Sequence, residues 1–595
     1  MNLVRVMFGL LWMNDNRFDF WLVIALCVCT LPGFAQQEKA PSKSAYQRGL
    51  DAIAKSDLPR AQKELELALR ANPANADAHT ALGWVLLARN DVEASIQHLR
   101  RAVQLKPSLP QAHSYLGDAL ARENLYDLAT TELRTAIKLA PQDAEAHRIL
   151  ARVLAAQKLL DDATSEMKRA VELAPTRAEL HDELGTLLAQ QSFYEQAAGE
   201  FREAIRLQPT LSSAHFHLGV AARNLHDWQV AIPALREAVR LDPDNSQSYY
   251  YLGLSLEQNG DSDGAIAAYQ KFLERQPNSA EILTRLGLLL QHSGQTDKAA
   301  DAFKRAVQIN PSDPEAHNNL ALALLQRGQG DAAINEFRAA LELRPSDVSF
   351  RENLAIGLLQ KSDFDGAIQE LRIALQASPS GATLHYNLGV AFKLKDRLPE
   401  AVSEFEQALR LDPTLTDAHY SLGIIFWQSG DFAAAAEHLR AAVSAKPDYA
   451  EAYEILGAVL KQMGNLSEAA DALRRAIQLR PELAGAHATL AAVLQAQGDR
   501  TGAAEERQRA AAVAKSATDL QAAMFNTNSG VQLLNAGDLE GAIAQFRTAI
   551  KLAENYAPAH YQLGISLQRK GSATEARAEF ERAEQLDRRL KAPHP

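Results

Sequence analysis

Residues 411–423 read LDPTLTDAHYSLG, and almost the same wording returns along the whole chain. Three further copies are LKPSLPQAHSYLG at 105–117, INPSDPEAHNNLA at 309–321 and LRPELAGAHATLA at 479–491. The proline of this stretch recurs every 34 residues from Pro73 to Pro481. A fixed period in this range predicts an array of identical supersecondary units, rather than the four or so separate domains that 595 residues could otherwise form.

Each 34-residue repeat has the pattern of two helices when the proline is counted as position 32. Position 7 is usually Leu, position 8 is Gly or Ala, and positions 20 and 27 are almost always Ala. Positions 4, 7, 8 and 11 share one face of a first helix, and positions 20, 24 and 27 share one face of a second. The proline ends the second helix. Position 15, after the first helix, is often a glycine suited to a left-handed turn: Gly260, Gly294, Gly328, Gly430, Gly464, Gly498, Gly537 and Gly571.

This pattern of L-G in the first helix, A-x3-F in the second and a closing proline resembles the tetratricopeptide repeat. The resemblance covers residues 42–590 as sixteen repeats. It implies an all-α fold, a right-handed α-solenoid of helix-turn-helix units. The AH-x-x-LG wording is also similar to the arrays of O-linked N-acetylglucosamine transferases. Five residues, 591–595, follow the last repeat as a short tail, so we expect no catalytic domain of that kind.

The period slips once, near the C-terminus. Repeat 14 has Arg507 at position 24 and Lys515 at position 32, where an apolar residue and proline belong. Five extra residues, 518–522, separate it from repeat 15. We expect them to lengthen a helix and to form a joint between repeats 1–14 (42–517) and repeats 15–16 (523–590).

The N-terminus has the features of an export signal. Residues 20–31, FWLVIALCVCTL, form a twelve-residue apolar run that is short for a membrane span. Gly33 and Ala35 provide the small residues of a cleavage site, so 1–35 is predicted as a signal peptide, with 36–41 as a linker. Met13 is an alternative initiator, and an uncleaved membrane anchor is the alternative to export into the periplasm or medium. Both cysteines lie inside this segment.

Composition argues against most other functions. The net charge of −11 is spread along the chain without a basic patch, so we expect no nucleic acid partner. No phosphate-binding loop, dinucleotide-binding glycine motif or nucleophile motif is present. We therefore predict no enzymatic activity, no cofactor and no small-molecule substrate.

Ten of the sixteen histidines occupy position 4, where the resembled family usually carries an aromatic residue packed between helices. No metal motif accompanies them, so we interpret them as packing residues rather than metal ligands. They are His79, His113, His147, His181, His215, His317, His385, His419, His487 and His560.

The resemblance implies that positions 2, 5, 6, 9, 12 and 13 of the first helices line a concave groove. Asn319, Asn353 and Asn387 all fall at position 6, one repeat apart, and a carboxamide both donates to and accepts from a peptide backbone. Aliphatic residues hold position 9 from repeat 6 to repeat 12. The predicted aromatic anchors of a bound peptide are Phe216, Tyr250, Tyr251, Tyr386, Tyr420 and Trp427.

These observations predict a non-catalytic scaffold that holds a protein or peptide segment in the groove of repeats 6–12. Position 5 is never Lys and position 9 is never Asn, so the carboxylate clamp of chaperone-binding family members is absent. One alternative is the partner-docking component of a glycosyltransferase-type or envelope-assembly complex whose catalytic subunit is a separate chain. Another is self-assembly through the terminal repeats.

Overall fold

The computed structural model describes residues 43–590, and over that range the chain forms 31 α-helices and no strand. The predicted all-α solenoid is therefore confirmed. The predicted signal peptide with Met13, the linker at 36–41 and the tail at 591–595 lie outside the described residues. Within the described range, no helix combines the length and hydropathy needed to cross a bilayer. The chain divides into two compact units, with the boundary between Pro311 and Ser312 in the sequence.

The N-terminal unit contains repeats 1–8, and its helices alternate between the first and second helix of a repeat. In chain order they are α1 Ala45–Ala54, α2 Leu58–Ala71, α3 Ala76–Ala88, α4 Val92–Leu105, α5 Pro110–Arg122, α6 Tyr126–Leu139, α7 Ala144–Ala156, α8 Leu160–Leu173, α9 Ala178–Gln190, α10 Tyr194–Leu207, α11 Ser212–Asn224, α12 Trp228–Leu241, α13 Ser246–Gln258, α14 Ser262–Arg275, α15 Ala280–His292 and α16 Thr296–Ile309.

The C-terminal unit contains repeats 9–16. Its helices are α17 Pro314–Gln326, α18 Gly330–Leu343, α19 Val348–Gln360, α20 Phe364–Ala377, α21 Ala382–Leu394, α22 Leu398–Leu411, α23 Thr416–Ser429, α24 Phe432–Ala445, α25 Ala450–Gln462, α26 Leu466–Leu479, α27 Ala484–Gln497, α28 Arg500–Asn535, α29 Leu539–Leu552, α30 Ala557–Lys570 and α31 Ala573–Leu586. Residues 518–522 lie inside α28, which joins the second helix of repeat 14 to the first helix of repeat 15.

The turn inside each repeat requires a left-handed residue at position 15. All eight glycines predicted for this role have φ between 73° and 90°. Eight other repeats place a residue with a side chain there at φ between 56° and 68°, and these are Ser56, Asn90, Asn124, Lys158, Ser192, His226, Ser362 and Asp396. The turn geometry is therefore the same whichever residue holds it.

The two helices of a repeat meet where the residue at position 8 faces position 24. A Cβ added to Gly253 would lie 2.4 Å from the Tyr269 ring, and one added to Gly83 would lie 2.4 Å from Leu99 Cγ. Tyr269 and Leu99 are fully buried. Small residues at position 8 thus make room for the large side chain that fills each repeat, and this packing brings the first helices of consecutive repeats side by side.

Candidate functional site

First helices of consecutive repeats contact one another within each unit, for example α9 with α11 and α17 with α19. The contact recurs at one register: the side chain at position 5 of a repeat meets position 6 of the next, 35 residues later. We call each such pair a rung. The rungs lie on the face that the family resemblance assigns to the groove. Residues whose side chains are buried in a rung are therefore less accessible to a partner.

Three consecutive rungs cross the N-terminal unit. Arg148 Nη2 contacts Glu183 Oε1 at 2.5 Å, and Asp182 Oδ1 contacts His217 Nδ1 at 2.7 Å. The third rung is aromatic, with the rings of Phe216 and Tyr251 5.7 Å apart. Arg148 is only 7 % exposed, and the adjoining carboxylates raise its pKa above its already high value despite burial. This stretch of the inner face is therefore closed by its own contacts.

Phe216 and Tyr251, predicted from the sequence as anchors of a bound peptide, are buried in the structure. They are only 3 % and 5 % exposed, because each ring covers the other across the rung. Tyr250 is half-buried, stands edge-on to Tyr251 at 5.1 Å, and donates its hydroxyl to Glu281 at 3.2 Å. Burial and then Glu281 raise the pKa of Tyr250 to about 12. These rings of repeats 6 and 7 therefore pack on one another rather than present free faces.

The asparagines of the C-terminal unit also take part in rungs. Asn353 donates its amide to Asn318 Oδ1 at 2.9 Å, and Asn387 donates to Glu352 Oε1 at 2.8 Å. Asn319 is half-buried like these two. A primary amide has two N–H groups and an acceptor oxygen. The rung uses one N–H of Asn353 and one of Asn387, so each side chain keeps a second N–H and its oxygen for a partner. Their side chains are thus held at fixed positions.

The remaining predicted aromatics are half-buried in the same unit. Tyr386 packs against the core, with its ring 5.7 Å from the ring of Phe405. Tyr420 and Trp427 pack against the core of the following repeats. Burial raises the pKa of Tyr386 and of Tyr420. Across the rung Tyr386 faces the small Ser421, whereas Phe216 faces the ring of Tyr251.

Two further rows complete the lining of repeats 9–12. Position 9 is half-buried and aliphatic in each repeat, with Leu322, Ile356, Val390 and Ile424. In repeats 6 and 7 the corresponding Val220 and Leu254 are buried at 1 % and 6 % exposure, whereas Leu288 of repeat 8 is 36 % exposed. Lys393 lies at position 12, one repeat before Trp427, and burial lowers its pKa. The C-terminal unit therefore offers amide, aromatic, aliphatic and basic groups on one face.

The position-4 histidines are structural bridges. His181 is typical: Nε2 lies 3.1 Å from the carbonyl oxygen of Pro175 in the preceding repeat, and Nδ1 lies 2.7 Å from Glu200 at position 23 of its own repeat. His113, His147, His317, His385, His487 and His560 make the same contact with a position-23 glutamate at 2.5 to 2.6 Å. Among the described residues, no group of three or more His, Cys, Asp or Glu side chains forms a possible metal site.

Sequence reasoning missed the position-23 partner, although the signal was visible. Glutamate stands 19 residues after seven of the ten histidines, and His98 and His438 stand 19 residues after two more. In repeat 10 Arg351 replaces the histidine and contacts Glu370 at 2.5 Å and the Pro345 carbonyl at 2.7 Å. Comparison of the repeats with one another would have identified this pairing.

A family model described as tetratricopeptide repeat matches more than half of the chain, over residues 46–110, 112–178, 183–246, 218–280, 284–348, 352–415 and 420–484. A second, described as TPR repeat, matches 532–571. No curated protein matches the chain significantly.

Similar solved structures include three proteins that the chain matches at low identity. The Cut9–Hcn1 hetero-tetramer of the APC/C is 15 % identical, over 76 % of this chain and 96 % of that chain, with a TM-score of 0.35. YrrB, described as a TPR protein with an unusual peptide-binding site, is 23 % identical over 31 % and 95 %, with a TM-score of 0.29. Yeast Tom70 is 17 % identical over 70 % and 95 %, with a TM-score of 0.30.

Proposed function

The chain belongs to the tetratricopeptide-repeat family, and on that premise we propose that it is a non-catalytic scaffold that binds an extended peptide segment of a partner protein on the inner face of repeats 9–12. Members of this family generally bind protein or peptide partners, and their repeat arrays are generally not catalytic. The finer assignment to repeats 9–12 is our own.

One observation carries this assignment: repeats 9–12 leave all of their predicted groove residues half-buried, whereas in repeats 6 and 7 only Tyr250 is half-buried and its hydroxyl is already bonded to Glu281. Trp427 and Tyr420 offer apolar surface for a peptide side chain, and aromatic anchors dominate the affinity of many interfaces. Asn353 and Asn387 are fixed by their rungs, so they would bind a peptide backbone without losing much side-chain entropy. The aliphatic row at position 9 would exclude water beneath the peptide.

We include export in the proposal, with action in the cell envelope. Support comes from the apolar run at 20–31 and the small residues Gly33 and Ala35. N-terminal sequencing of the protein recovered from the periplasm or medium tests this part. A mature chain beginning at Gln36 is expected, and a protein found only in the cytoplasm, with residues 1–35 retained, would contradict export.

The groove is tested with two double variants that break the same two rungs from opposite sides. Asn353→Ala with Asn387→Ala removes the half-buried amides, whereas Asn318→Ala with Glu352→Ala removes their rung partners and leaves the amides in the groove. Each variant and the unmodified chain would be used to capture partners from an envelope extract, followed by mass spectrometry, after circular dichroism confirms equal helicity.

We expect a partner that the unmodified chain and the Asn318/Glu352 variant retain and that the Asn353/Asn387 variant loses. Equal loss by both variants would mean that the rungs matter only for packing. If both variants retain every partner, the binding surface lies outside this part of the array and the proposed groove is wrong.

A further inference from the structure

The residue at position 16, which precedes the second helix of each repeat, is normally a helix cap. In eight repeats it is an aspartate whose side chain accepts the backbone N–H of position 19. These residues are Asp57, Asp91, Asp227, Asp261, Asp363, Asp431, Asp499 and Asp538. Such a cap stabilises a helix by about 1 kcal/mol relative to a residue that cannot accept the bond.

Three consecutive repeats abandon this cap for a large apolar residue. Repeats 3, 4 and 5 carry Leu125, Leu159 and Phe193 at position 16, and none of the three helices that follow has a side-chain cap. The three side chains are 44 %, 48 % and 49 % exposed. No other repeat has an apolar residue at this position. The substitution loses a cap and exposes apolar surface, so folding does not account for it.

These residues form one edge of the N-terminal unit, which we call the turn edge of repeats 3–5. Leu128, in the first turn of α6, extends it with 51 % exposure. A shallow cleft of about 290 Å³ adjoins Phe193, lined by Asp161, Thr164, Lys168, Leu188 and Gln191 among others. The edge therefore presents one large apolar side chain per repeat and a depression at one end.

The charges around the turn edge are mainly negative. Exposed carboxylates precede or follow the apolar residues at Glu123, Asp127, Asp161, Asp162 and Glu195, against the exposed cations Arg122, Lys158 and Lys168. A partner that covers the apolar row also meets this rim, so basic side chains on the partner are favoured. An anionic lipid surface is disfavoured for the same reason.

The spacing of the row fits a helix. The first helices of repeats 3 and 4 contact each other, and Arg148 joins the first helix of repeat 4 to that of repeat 5. Packed helices lie roughly 8–10 Å apart, so the turns that follow these first helices recur at about that interval. In an α-helix, residues seven apart on one face are separated by about 10.5 Å, at 1.5 Å per residue. We propose that the turn edge of repeats 3–5 docks an amphipathic α-helix of a partner protein, with apolar side chains at i, i+7 and i+14 and lysine or arginine beside them. This site is separate from the groove of the C-terminal unit and does not depend on it.

The probe is a fluorescent synthetic peptide of three heptads, with leucine at the apolar positions and lysine beside them, titrated into the full mature chain by fluorescence anisotropy. The test variant is Leu125→Asp with Leu159→Asp and Phe193→Asp. Each aspartate restores a cap, so the variant is expected to melt at a higher temperature than the unmodified chain. Failure to fold is thereby separated from failure to bind.

We expect the test variant to bind the peptide at least tenfold more weakly. Its three added negative charges would strengthen a non-specific attraction for a basic peptide, so a loss isolates the apolar row. The matched control, Gln295→Asp with Gln329→Asp and Asn465→Asp, adds three aspartates at the same position of other repeats and should bind as the unmodified chain does.

Any of four results would overturn the proposal. The first is an unmodified chain that does not bind the peptide, and the second is a test variant that binds it equally well. The third is equal binding of a peptide with glutamate in place of lysine. The fourth is sedimentation of the unmodified chain, but not the test variant, with phosphatidylcholine or phosphatidylglycerol vesicles, which would assign the edge to a membrane.

Discussion

At the residue scale, each bridging histidine joins the end of one repeat to both helices of the next. His181 is 7 % exposed, and its contacts with the Pro175 carbonyl and Glu200 are partly buried. A buried polar group that loses its partner retains the cost of its desolvation. We therefore expect the histidine to contribute more to the free energy of unfolding than the packing role predicted from the sequence would.

Replacing His181 by alanine should cost more stability than the same change at His215. His215 lies half-buried, contacts the Pro209 carbonyl at 3.0 Å and has Ala234, not a glutamate, at position 23. We expect His181→Ala to lower the local opening free energy of α9 and α10 by about 2–3 kcal/mol and His215→Ala to lower that of α11 by about 1 kcal/mol. Hydrogen exchange of these helices measures both values, and equal losses would show that the carboxylate adds nothing.

The last repeat should lose stability as pH rises, through His560. The hydrogen bond from His560 to Glu579, at 2.6 Å, raises the pKa of the imidazole, with help from the Glu554 carbonyl at 2.8 Å, while burial opposes this. A folded-state pKa above the unfolded value, about 6.5, contributes stability that is complete below that pH and is lost as pH rises through the folded pKa.

The measurement is the opening free energy of α30 and α31 at pH 6 and pH 8, from hydrogen exchange corrected for intrinsic rates. The unmodified chain should be more stable at pH 6, and His560→Gln should remove most of that difference. An unchanged difference in His560→Gln would assign the pH effect to another group.

Single residues were predictable from sequence where the requirement is local. Glycine at position 15 signals a left-handed turn by its own chemistry, and Gly260 and Gly430 have φ of 80° and 84°. The function of His181 was not predictable in the same way, because a histidine packs or bridges according to the residue 19 positions later. That partner becomes visible only when the repeats are aligned with one another.

At the scale of elements, α28 differs from every other described helix, since it has 36 residues where the others have at most 14. The five extra residues gave the position of this change in the sequence, at 518–522. Residues 514–518 in its central part are all exposed, and Leu520 is 41 % exposed. That stretch packs against no other described helix, so its continuity depends mainly on helix propensity.

Proline at Ala517 should therefore break α28 without disturbing the repeats on either side. Ala517 is exposed, so the change removes no packing, and an interior proline costs about 3 kcal/mol of helix stability. We expect faster hydrogen exchange over 510–522 and unchanged exchange in α26 and α30. Phe525→Ser is the control, expected to change stability by less than about 0.5 kcal/mol. Unfolding of α29–α31 in Ala517→Pro would mean that the long helix supports the last two repeats.

At the scale of the whole molecule, the sequence predicted the repeats but not where the array divides. The prolines at 311 and 345 keep the 34-residue spacing across the boundary between the two units. The exposure of the groove residues could also not be predicted from the sequence of one repeat alone. Phe216 and Tyr386 hold the same position 5, yet Phe216 faces the Tyr251 ring across its rung, whereas Tyr386 faces the small Ser421 there and packs against Phe405 of its own repeat. The burial of a position-5 side chain therefore depends in part on the residue 35 positions later.

Because each repeat contacts only its neighbours in sequence, damage should remain local, unlike in a domain with one shared core. Phe337 in α18 and Leu99 in α4 are both fully buried, one in each unit. Phe337→Ala should cost about 3–5 kcal/mol and Leu99→Ala about 2–5 kcal/mol. We expect the first to speed hydrogen exchange in α17–α20 and leave α3–α6 unchanged, and the second to do the reverse. Faster exchange throughout the chain in either variant would show that the array unfolds as one cooperative body.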